Sequence, residues 1–162
     1  MNIRVGHGFD VHPFIDGDGV WLGGIKIPFH KKLDGHSDAD VLIHAIADSL
    51  LGALNLRDIG YHFPNTDARY KGIDSKKLLL EVMVLVKQKG YKIGNIDCTV
   101  VAENPKVNPH IEAIQNCLSP ILEVSIDDIS IKATTNEKLG FIGREEGIVA
   151  HATCLVYKEN LV

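Results

Sequence analysis

Alternation of apolar and polar side chains is the main pattern that predicts β-strands in this chain. It is clearest over residues 92–103, where Ile96, Cys98 and Val100 occupy every second position, and it recurs over residues 148–157. Side chains two residues apart share one face of a strand, so each stretch predicts a strand with one buried face. Further strands are predicted at residues 2–14, 20–22, 25–27 and 129–134.

Three other stretches repeat apolar residues every three or four positions, which is the spacing of an amphipathic helix. They predict helices over residues 38–54, 75–89 and 109–123. Ser37 or Asp38 is the predicted N-cap of the first helix, because a short side-chain oxygen there can accept from a free backbone N–H.

The order of these elements is a strand and a hairpin, two helices, a strand, a helix and two strands. It indicates one domain spanning residues 1–162 with an α+β fold. We expect a mostly mixed four-stranded sheet with helices on one face, ferredoxin-like, plus a small N-terminal hairpin. Residues 31–35 are predicted as a loop that leads to the first helix.

Composition restricts the class of protein only moderately. The net charge of -4 argues against a general nucleic-acid surface. Cys98, Cys117 and Cys154 are widely spaced, which argues against a disulfide framework and favours a reducing compartment. No apolar run has membrane-spanning length, so we expect a cytoplasmic bacterial protein, or a plastid protein if the source bears plastids.

A candidate metal site begins in the first strand, where Asp10 and His12 point to the same face. His44, on the polar stripe of the first helix with Asp40 and Asp48, is the best third donor. Two histidines and one carboxylate leave a coordination position open, which is typical of catalytic rather than structural metal sites. Either aspartate is predicted to hold the other ring nitrogen of His44. The alternative is a solvated strand face and a surface histidine.

Six motifs stand together in this order, and their combination is specific although each alone is weak. They are Gly6-His7-Gly8-Phe9-Asp10-Val11-His12, His36-Ser37-Asp38, Asp58-Ile59-Gly60, Phe63-Pro64-Asn65-Thr66-Asp67, Asn104-Pro105-Lys106 and Ala133-Thr134-Thr135-Asn136-Glu137-Lys138-Leu139-Gly140-Phe141. The chain resembles the 2-C-methyl-D-erythritol 2,4-cyclodiphosphate synthase family of the non-mevalonate isoprenoid pathway, over essentially its whole length.

The resemblance implies a lyase reaction. The substrate is 4-diphosphocytidyl-2-C-methyl-D-erythritol 2-phosphate, whose 2-phosphate attacks the β-phosphorus of its own diphosphate. CMP leaves and the cyclic diphosphate forms. Several negative charges must approach one another, so bound cations are expected to offset their repulsion.

The resemblance also assigns roles to individual residues. Asp10, His12 and His44 are the implied ligands of one catalytic zinc ion per chain, and Glu137 is the implied ligand of Mg²⁺ or Mn²⁺ at the diphosphate. His36 and Thr135 are the implied catalytic residues, which stabilise the transition state. The implied substrate-binding residues are Asp10, His12, His36, Ser37, Asp58, Ile59, Gly60, Phe63, Pro64, Asn65, Thr66, Asp67, Ala102, Glu103, Asn104, Pro105, Lys106, Val107, Asn108, Thr134, Thr135, Asn136, Glu137, Phe141 and Arg144.

The resemblance assigns the erythritol and phosphate contacts to Ser37, Asp58, Gly60 and residues 63–67, and the cytidine and phosphate pocket to residues 102–108, Thr134 and Thr135. It further implies a homotrimer with sites between subunits, the zinc half from one chain and the cytidine half from its neighbour. An isoprenoid diphosphate is implied on the threefold axis, near Phe141 and Arg144. Three positions depart from the family pattern. Asn65 replaces a usual Asp, Asn136 a common Thr, and His151 stands near where an acidic partner of Arg144 can occur.

Two other classes of protein share part of this pattern. Non-haem iron oxygenases use two histidines and one carboxylate, but their usual order is His-x-Asp, whereas Asp10 precedes His12 here. A nucleotide-binding or metal-storage module without catalysis is the other alternative.

Overall fold

The computed structural model describes residues 2–158, which form a five-stranded mixed sheet covered by helices, and a separate two-stranded hairpin. The strands are β1 (Ile3–Asp16), β2 (Val20–Leu22), β3 (Ile25–Ile27), β4 (Lys31–Leu33), β5 (Lys92–Val101), β6 (Ile129–Thr134) and β7 (Gly147–Tyr157). The helices are α1 (Val41–Ala53), α2 (Ile59–His62), α3 (Ser75–Gln88), α4 (Ile111–Leu122) and α5 (Gly140–Gly143). Single 3₁₀ turns occur at Ala68–Tyr70, Asn108–His110 and Ile126–Asp128.

The main sheet has the strand order β4-β1-β7-β5-β6, with β5 and β6 parallel and the other pairs antiparallel. In register, Asp10 of β1 lies opposite Ala150, Ala150 opposite Val100, and Val100 opposite Ala133. This row crosses the sheet at the end where the candidate site residues lie. Residues in one row share a face, so the register fixes which side chains meet the helices.

Helices cover one face of the sheet and leave the other open. α1 packs on β1 and β7, α4 packs on β6, and α3 packs against both helices. The covered face includes Ile96, Cys98 and Val100, which are fully buried. On the open face Val5 and Phe9 are exposed by 63% and 49%. In the part of the chain that the structure describes, no helix covers these side chains of β1.

Two glycines let α1 lie directly on β1. A Cβ atom built on Gly8 would lie 1.9 Å from the backbone oxygen of Ala45, and one on Gly6 would lie 1.9 Å from that of Ser49. Only a residue without a side chain fits at these positions. The helix therefore sits close enough for its polar residues to reach the end of β1.

Asp40 is the N-cap of α1 and also accepts hydrogen bonds from the turn of the β2–β3 hairpin. Its carboxylate accepts from the backbone N–H groups of Ile43 at 3.0 Å, Gly23 at 2.9 Å and Gly24 at 2.7 Å. Gly23 and Gly24 have φ angles of 60° and 81°, as a two-residue hairpin turn requires. Asp40 is fully buried, and burial raises the pKa of this carboxyl despite its three donors.

Several predictions of structure are confirmed and several are wrong. The strands at 20–22, 25–27 and 129–134 have the predicted bounds, and the α+β class is confirmed. The sheet has five strands rather than four, because Lys31–Leu33 pairs with the end of β1 although two of its three residues are lysines. A three-residue edge strand carries too few side chains to show alternation.

The first strand continues through Pro13 to Asp16, and the N-cap of α1 is Asp40 rather than Ser37 or Asp38. Pro13 is tolerated because β1 changes partner there, from β7 to β4. α4 begins after a 3₁₀ turn, and the short helix α5 lies in the segment between β6 and β7, for which no helix was predicted. Among the described helices, none has both the length and the apolar character needed to cross a membrane.

Candidate active site

Three side chains from β1 and α1 converge at the end of the sheet. Asp10 Oδ2 lies 3.0 Å from His12 Nε2 and 3.0 Å from His44 Nδ1. The two histidine nitrogens are 3.3 Å apart. The three potential metal-ligand atoms thus face one common point, as was predicted from the first strand and the first helix.

The neighbours of His12 determine which ring nitrogen faces that point. His12 Nδ1 lies 2.7 Å from the backbone oxygen of Asp34. A carbonyl only accepts, so Nδ1 carries the hydrogen and Nε2 presents its lone pair to the other donors.

A serine determines the corresponding orientation of His44. Ser75 Oγ donates to Asp38 Oδ1 at 2.5 Å, which uses its only hydrogen. The same oxygen lies 2.9 Å from His44 Nε2 and must therefore accept from it. Ser37 Oγ lies 3.1 Å from the same nitrogen. His44 Nδ1 is consequently unprotonated in neutral imidazole and points to Asp10.

The predicted partners of His44 are therefore wrong. Asp40 is turned into the hairpin, and Asp48 accepts from the backbone N–H of Ile59 at 2.7 Å. Both lie on the same helical stripe as His44, but neither reaches its ring. Ser75 comes from the start of α3, and its role in the site has no signal in the local spacing around His44.

This donor set fits a divalent cation. Zinc–nitrogen bonds of 2.0–2.1 Å in a tetrahedral site place neighbouring ligand atoms about 3.3 Å apart. The three observed separations, 3.0, 3.0 and 3.3 Å, lie close to that value. Side-chain exposures of 25% for Asp10, 17% for His12 and 11% for His44 leave one side open for a further ligand.

Electrostatics in the cluster favour the charged carboxylate. Burial raises the pKa of Asp10, but hydrogen bonds and charge from His12 and His44 outweigh it and lower the pKa to about 2. Burial lowers the pKa of His12, but Asp10 outweighs it, and the net pKa of His12 is raised. A negative charge is therefore held between two imidazoles.

A cavity of about 430 Å³ opens beside this cluster. It is lined by Asp10, His12, His36, Ser37, His44, Ile59, Gly60, Phe63, Pro64, Asn65, Thr66, Tyr70 and Leu78. Most of the predicted erythritol- and phosphate-binding residues are thus together. Asp58 instead caps α2, and Asp67 forms an ion pair with Arg69, while its carbonyl oxygen lies 3.2 Å from His36 Nε2. Tyr70 and Leu78 were not predicted.

A second cavity, of about 300 Å³, lies at the far edge of the sheet. It is lined by Ala102, Pro105, Lys106, Val107, Asn108, Ala133, Thr134 and Thr135. Only Ala133 was absent from the predicted set. Asn104 instead donates to Glu145, and the Glu103 side chain is buried away from the cavity.

The loop after β6 holds the other predicted metal ligand. Thr135 Oγ1 donates to Glu137 Oε1 at 3.0 Å, and Glu137 is exposed. Phe141 is 42% exposed on α5, and Arg144 forms an ion pair with Glu146. His151 contacts His7 and Phe9 on the open face of the sheet rather than Arg144.

The two cavities are separate within one chain, since no residue lines both. Asp10 and Ala133 lie in one row of the sheet, three strands apart. At about 4.8 Å per strand this is about 14 Å. The predicted metal half and cytidine half therefore do not meet inside one chain.

Comparison with known proteins agrees with the motifs and the donor cluster. The profile of the YgbB family matches residues 3–157. The chain belongs to this family. Among YgbB-family relatives, a 2-C-methyl-D-erythritol 2,4-cyclodiphosphate synthase of Cytophaga hutchinsonii is 57% identical over 98% of this chain and 99% of its own length. One of Porphyromonas gingivalis is 60% identical over 94% of both chains. The resemblance inferred from the motifs is confirmed.

Solved structures share the same fold. The IspF of Plasmodium falciparum, in a CDP complex, has a TM-score of 0.87 and 36% identity, covering 98% of both chains. The bifunctional IspDF of Campylobacter jejuni has a TM-score of 0.93 and 39% identity. This YgbB-family chain matches 97% of its own length to 42% of that longer protein.

In this YgbB-family chain we expect Ser75→Ala to weaken zinc binding without unfolding the protein. The change removes the nearer acceptor of His44 Nε2 and leaves only Ser37 Oγ at 3.1 Å, so the protonated nitrogen of the ring is held less firmly. Loss of such an outer partner typically costs 10–100-fold in metal affinity, about the range expected here. Competition titration against a chromogenic chelator measures it, with Ser125→Ala, at an exposed turn, as control. Wild-type affinity in Ser75→Ala would contradict this role.

Zinc affinity is expected to fall with decreasing pH, beginning above pH 6.5. The raised pKa of His12 means that protons compete for Nε2 at higher pH than for an ordinary imidazole with its value of 6.5. Asp10, with a pKa of about 2, stays ionised throughout. We expect about a tenfold loss per pH unit once this histidine protonates. Calorimetric titration between pH 5 and 8 measures it, and a flat profile would refute the assignment.

Proposed function

We propose that this protein is a 2-C-methyl-D-erythritol 2,4-cyclodiphosphate synthase. It converts 4-diphosphocytidyl-2-C-methyl-D-erythritol 2-phosphate to the cyclic diphosphate with release of CMP. The observation that carries the proposal is the Asp10–His12–His44 donor cluster at the mouth of a cavity lined by the His36–Ser37 segment and residues 59–66. The relatives that carry this name align with almost the whole chain.

Charge repulsion is the main obstacle to such a reaction. Two unit negative charges 4 Å apart repel by about 1 kcal/mol in water and about 4 kcal/mol at an effective dielectric near 20. Zn²⁺ held by Asp10, His12 and His44, with Mg²⁺ or Mn²⁺ held by Glu137, would supply positive charge and Lewis acidity to the phosphates. The carboxylate and imidazole donors suit the first ion, and the exposed carboxylate suits the second.

The chain's own residues would fold the substrate and stabilise developing charge. In the reaction, an oxygen of the 2-phosphate forms a bond to the β-phosphorus, and the bond from that phosphorus to the oxygen of CMP breaks. His36 lines the first cavity and Thr135 the second, so each is placed to donate to phosphate oxygens. Lys106, whose Nζ donates to the Glu103 carbonyl at 3.0 Å, lines the second cavity and would contact the nucleotide phosphates. The step is intramolecular, so positioning supplies much of the rate.

We propose that complete sites form between chains of a homotrimer. The two cavities share no lining residue, and three strand spacings, about 14 Å, separate Asp10 from Ala133 in one chain, which supports a site made from two chains. A ring of three identical heterologous contacts would bring the first cavity of one chain to the second cavity of the next. The exposed apolar residues of the open sheet face, including Val5, Phe9 and Val11, suit burial in such an assembly. An isoprenoid diphosphate near Phe141 and Arg144 would lie on its axis.

A phosphorus NMR time course tests the proposed reaction directly. With the cytidyl substrate, zinc and magnesium, we expect the resonances of the cyclic diphosphate and CMP to appear together. A chelator should abolish turnover, and the two ions should restore it. Linear products alone, or no turnover with both ions present, would overturn the proposal.

A further inference from the structure

We propose that Glu103 is a positioning residue that holds the 135–138 segment in its working conformation, rather than a residue that binds substrate through its side chain. This inference rests on the proposed function, because it assigns a role for that segment in the reaction. The Glu103 side chain is only 3% exposed, and Glu103 is not among the residues that line the second cavity.

The contacts of Glu103 are made to backbone N–H groups of that segment. Oε1 accepts from the backbone N–H of Asn136 at 3.1 Å and from that of Lys138 at 3.1 Å. The two donors flank Glu137, whose side chain is linked to Thr135 Oγ1. One buried oxygen thus fixes the peptide on each side of the predicted magnesium ligand.

The segment needs such support because its backbone is strained. Glu137 and Lys138 have φ angles of 51° and 64°, a left-handed conformation that residues with side chains adopt rarely and seldom in succession. The Lys138 backbone also packs on Gly143, where a Cβ atom would lie 2.0 Å from the Lys138 carbonyl carbon. Glu103 and Gly143 therefore both contact the backbone of this turn.

Backbone hydrogen bonds, rather than the adjacent ion pair, dominate this arrangement. Lys138 Nζ lies 3.2 Å from Glu103 Oε2, but the lysine side chain is 75% exposed. Exposed ion pairs contribute little. The backbone N–H of Lys138 is the main cause of the lowered pKa of Glu103, so the carboxylate stays ionised as an acceptor.

Glu103 also links the two rims of the second cavity. Its carbonyl oxygen accepts from Lys106 Nζ at 3.0 Å, while its side chain holds the 136–138 backbone. Both Lys106 and Thr135 line that cavity. Loosening Glu103 is therefore expected to displace Lys106 and Thr135, which would contact the nucleotide in the proposed function.

Hydrogen–deuterium exchange of the full-length protein tests the contacts independently of turnover. In Glu103→Ala we expect amide protection at Asn136 and Lys138 to fall about tenfold or more, with protection in the core of β5 unchanged. Glu103→Gln keeps an acceptor and should retain part of it. Lys138→Met removes the ion pair but keeps the N–H, and should match wild type. Unchanged protection in Glu103→Ala would overturn the proposal.

Kinetics test whether the contacts position the site. We expect kcat to fall about 100-fold in Glu103→Ala, with partial recovery in Glu103→Gln and wild-type kcat in Lys138→Met. The magnesium concentration for half-maximal rate should rise, whereas zinc content should stay unchanged. Wild-type kcat in Glu103→Ala would refute the role. If wild type itself does not turn over, the proposed function fails, while the exchange result still decides the Glu103 contacts.

Discussion

His44→Ala and Glu137→Ala are each expected to lower turnover at least about a hundred-fold, and a mixture of the two is expected to regain activity. His44→Ala removes one of three donors that meet within 3.3 Å of one another. Glu137→Ala removes the exposed carboxylate held by Thr135. Each loss leaves phosphate charge without the cation meant to offset it.

Regain of activity follows if each site takes its halves from two chains. Every doubly tagged trimer contains both variants, and one of its three interfaces combines an intact metal half with an intact cytidine half, so about a third of wild-type activity is expected. Co-expression with two affinity tags, followed by the phosphorus NMR assay on doubly tagged protein, measures this fraction. A mixture of His44→Ala with Asp10→Ala is the control, because both changes lie in the same half and no interface is complete. If the first mixture is as inactive as this control, sites do not form between chains.

Gly8→Val is expected to unfold the protein, or to lower its unfolding free energy by at least about 4 kcal/mol. A Cβ at Gly8 would lie 1.9 Å from the Ala45 oxygen and 2.7 Å from the Ser49 nitrogen. Both are backbone atoms of α1 and cannot rotate away as a side chain could. The helix would have to separate from β1, which would also move His44 away from Asp10.

Gly52→Ala, in the helix α1 that packs on Gly8, provides a matched control. A Cβ at Gly52 would meet its nearest neighbour, the His7 oxygen, at 3.9 Å, which is ordinary contact. Replacing a helical glycine by alanine should stabilise the protein by up to about 1 kcal/mol. Urea unfolding followed by circular dichroism measures both variants. A Gly8→Val protein as stable as wild type would show that α1 can be displaced without cost.

Local sequence patterns predicted those helices and strands whose own residues show the spacing or turn residues of the element. Residues 20–22 and 25–27 were found because apolar pairs flank Gly23 and Gly24. Residues 31–33 were missed because the strand exists only through its pairing with β1. The N-cap of α1 was misplaced since three acidic or hydroxyl residues stand within four positions, and only tertiary contact with the hairpin selects Asp40.

The part of the candidate site that could be predicted consists of side chains able to ligate a metal ion. Asp10, His12 and His44 were paired from side-chain chemistry and face alternation, and the structure brings them together. Ser75 was missed because a serine at a helix start is ordinarily a capping residue, and its contact with His44 spans 31 residues. Glu103 was placed in the binding set by its neighbours, whereas burial turns its side chain inward.

The fixed protonation of the His12 and His44 imidazoles affects which cations the site selects. With Asp34 and Ser75 each holding one ring N–H, two nitrogen lone pairs converge before any ion arrives. Magnesium and calcium ions prefer oxygen ligands. Two imidazole nitrogens therefore bind them weakly, even where these ions are abundant. The exposed carboxylate of Glu137 has the opposite preference. Under the proposed function, a softer cation at the imidazole pair and a harder cation at Glu137 would therefore not exchange places.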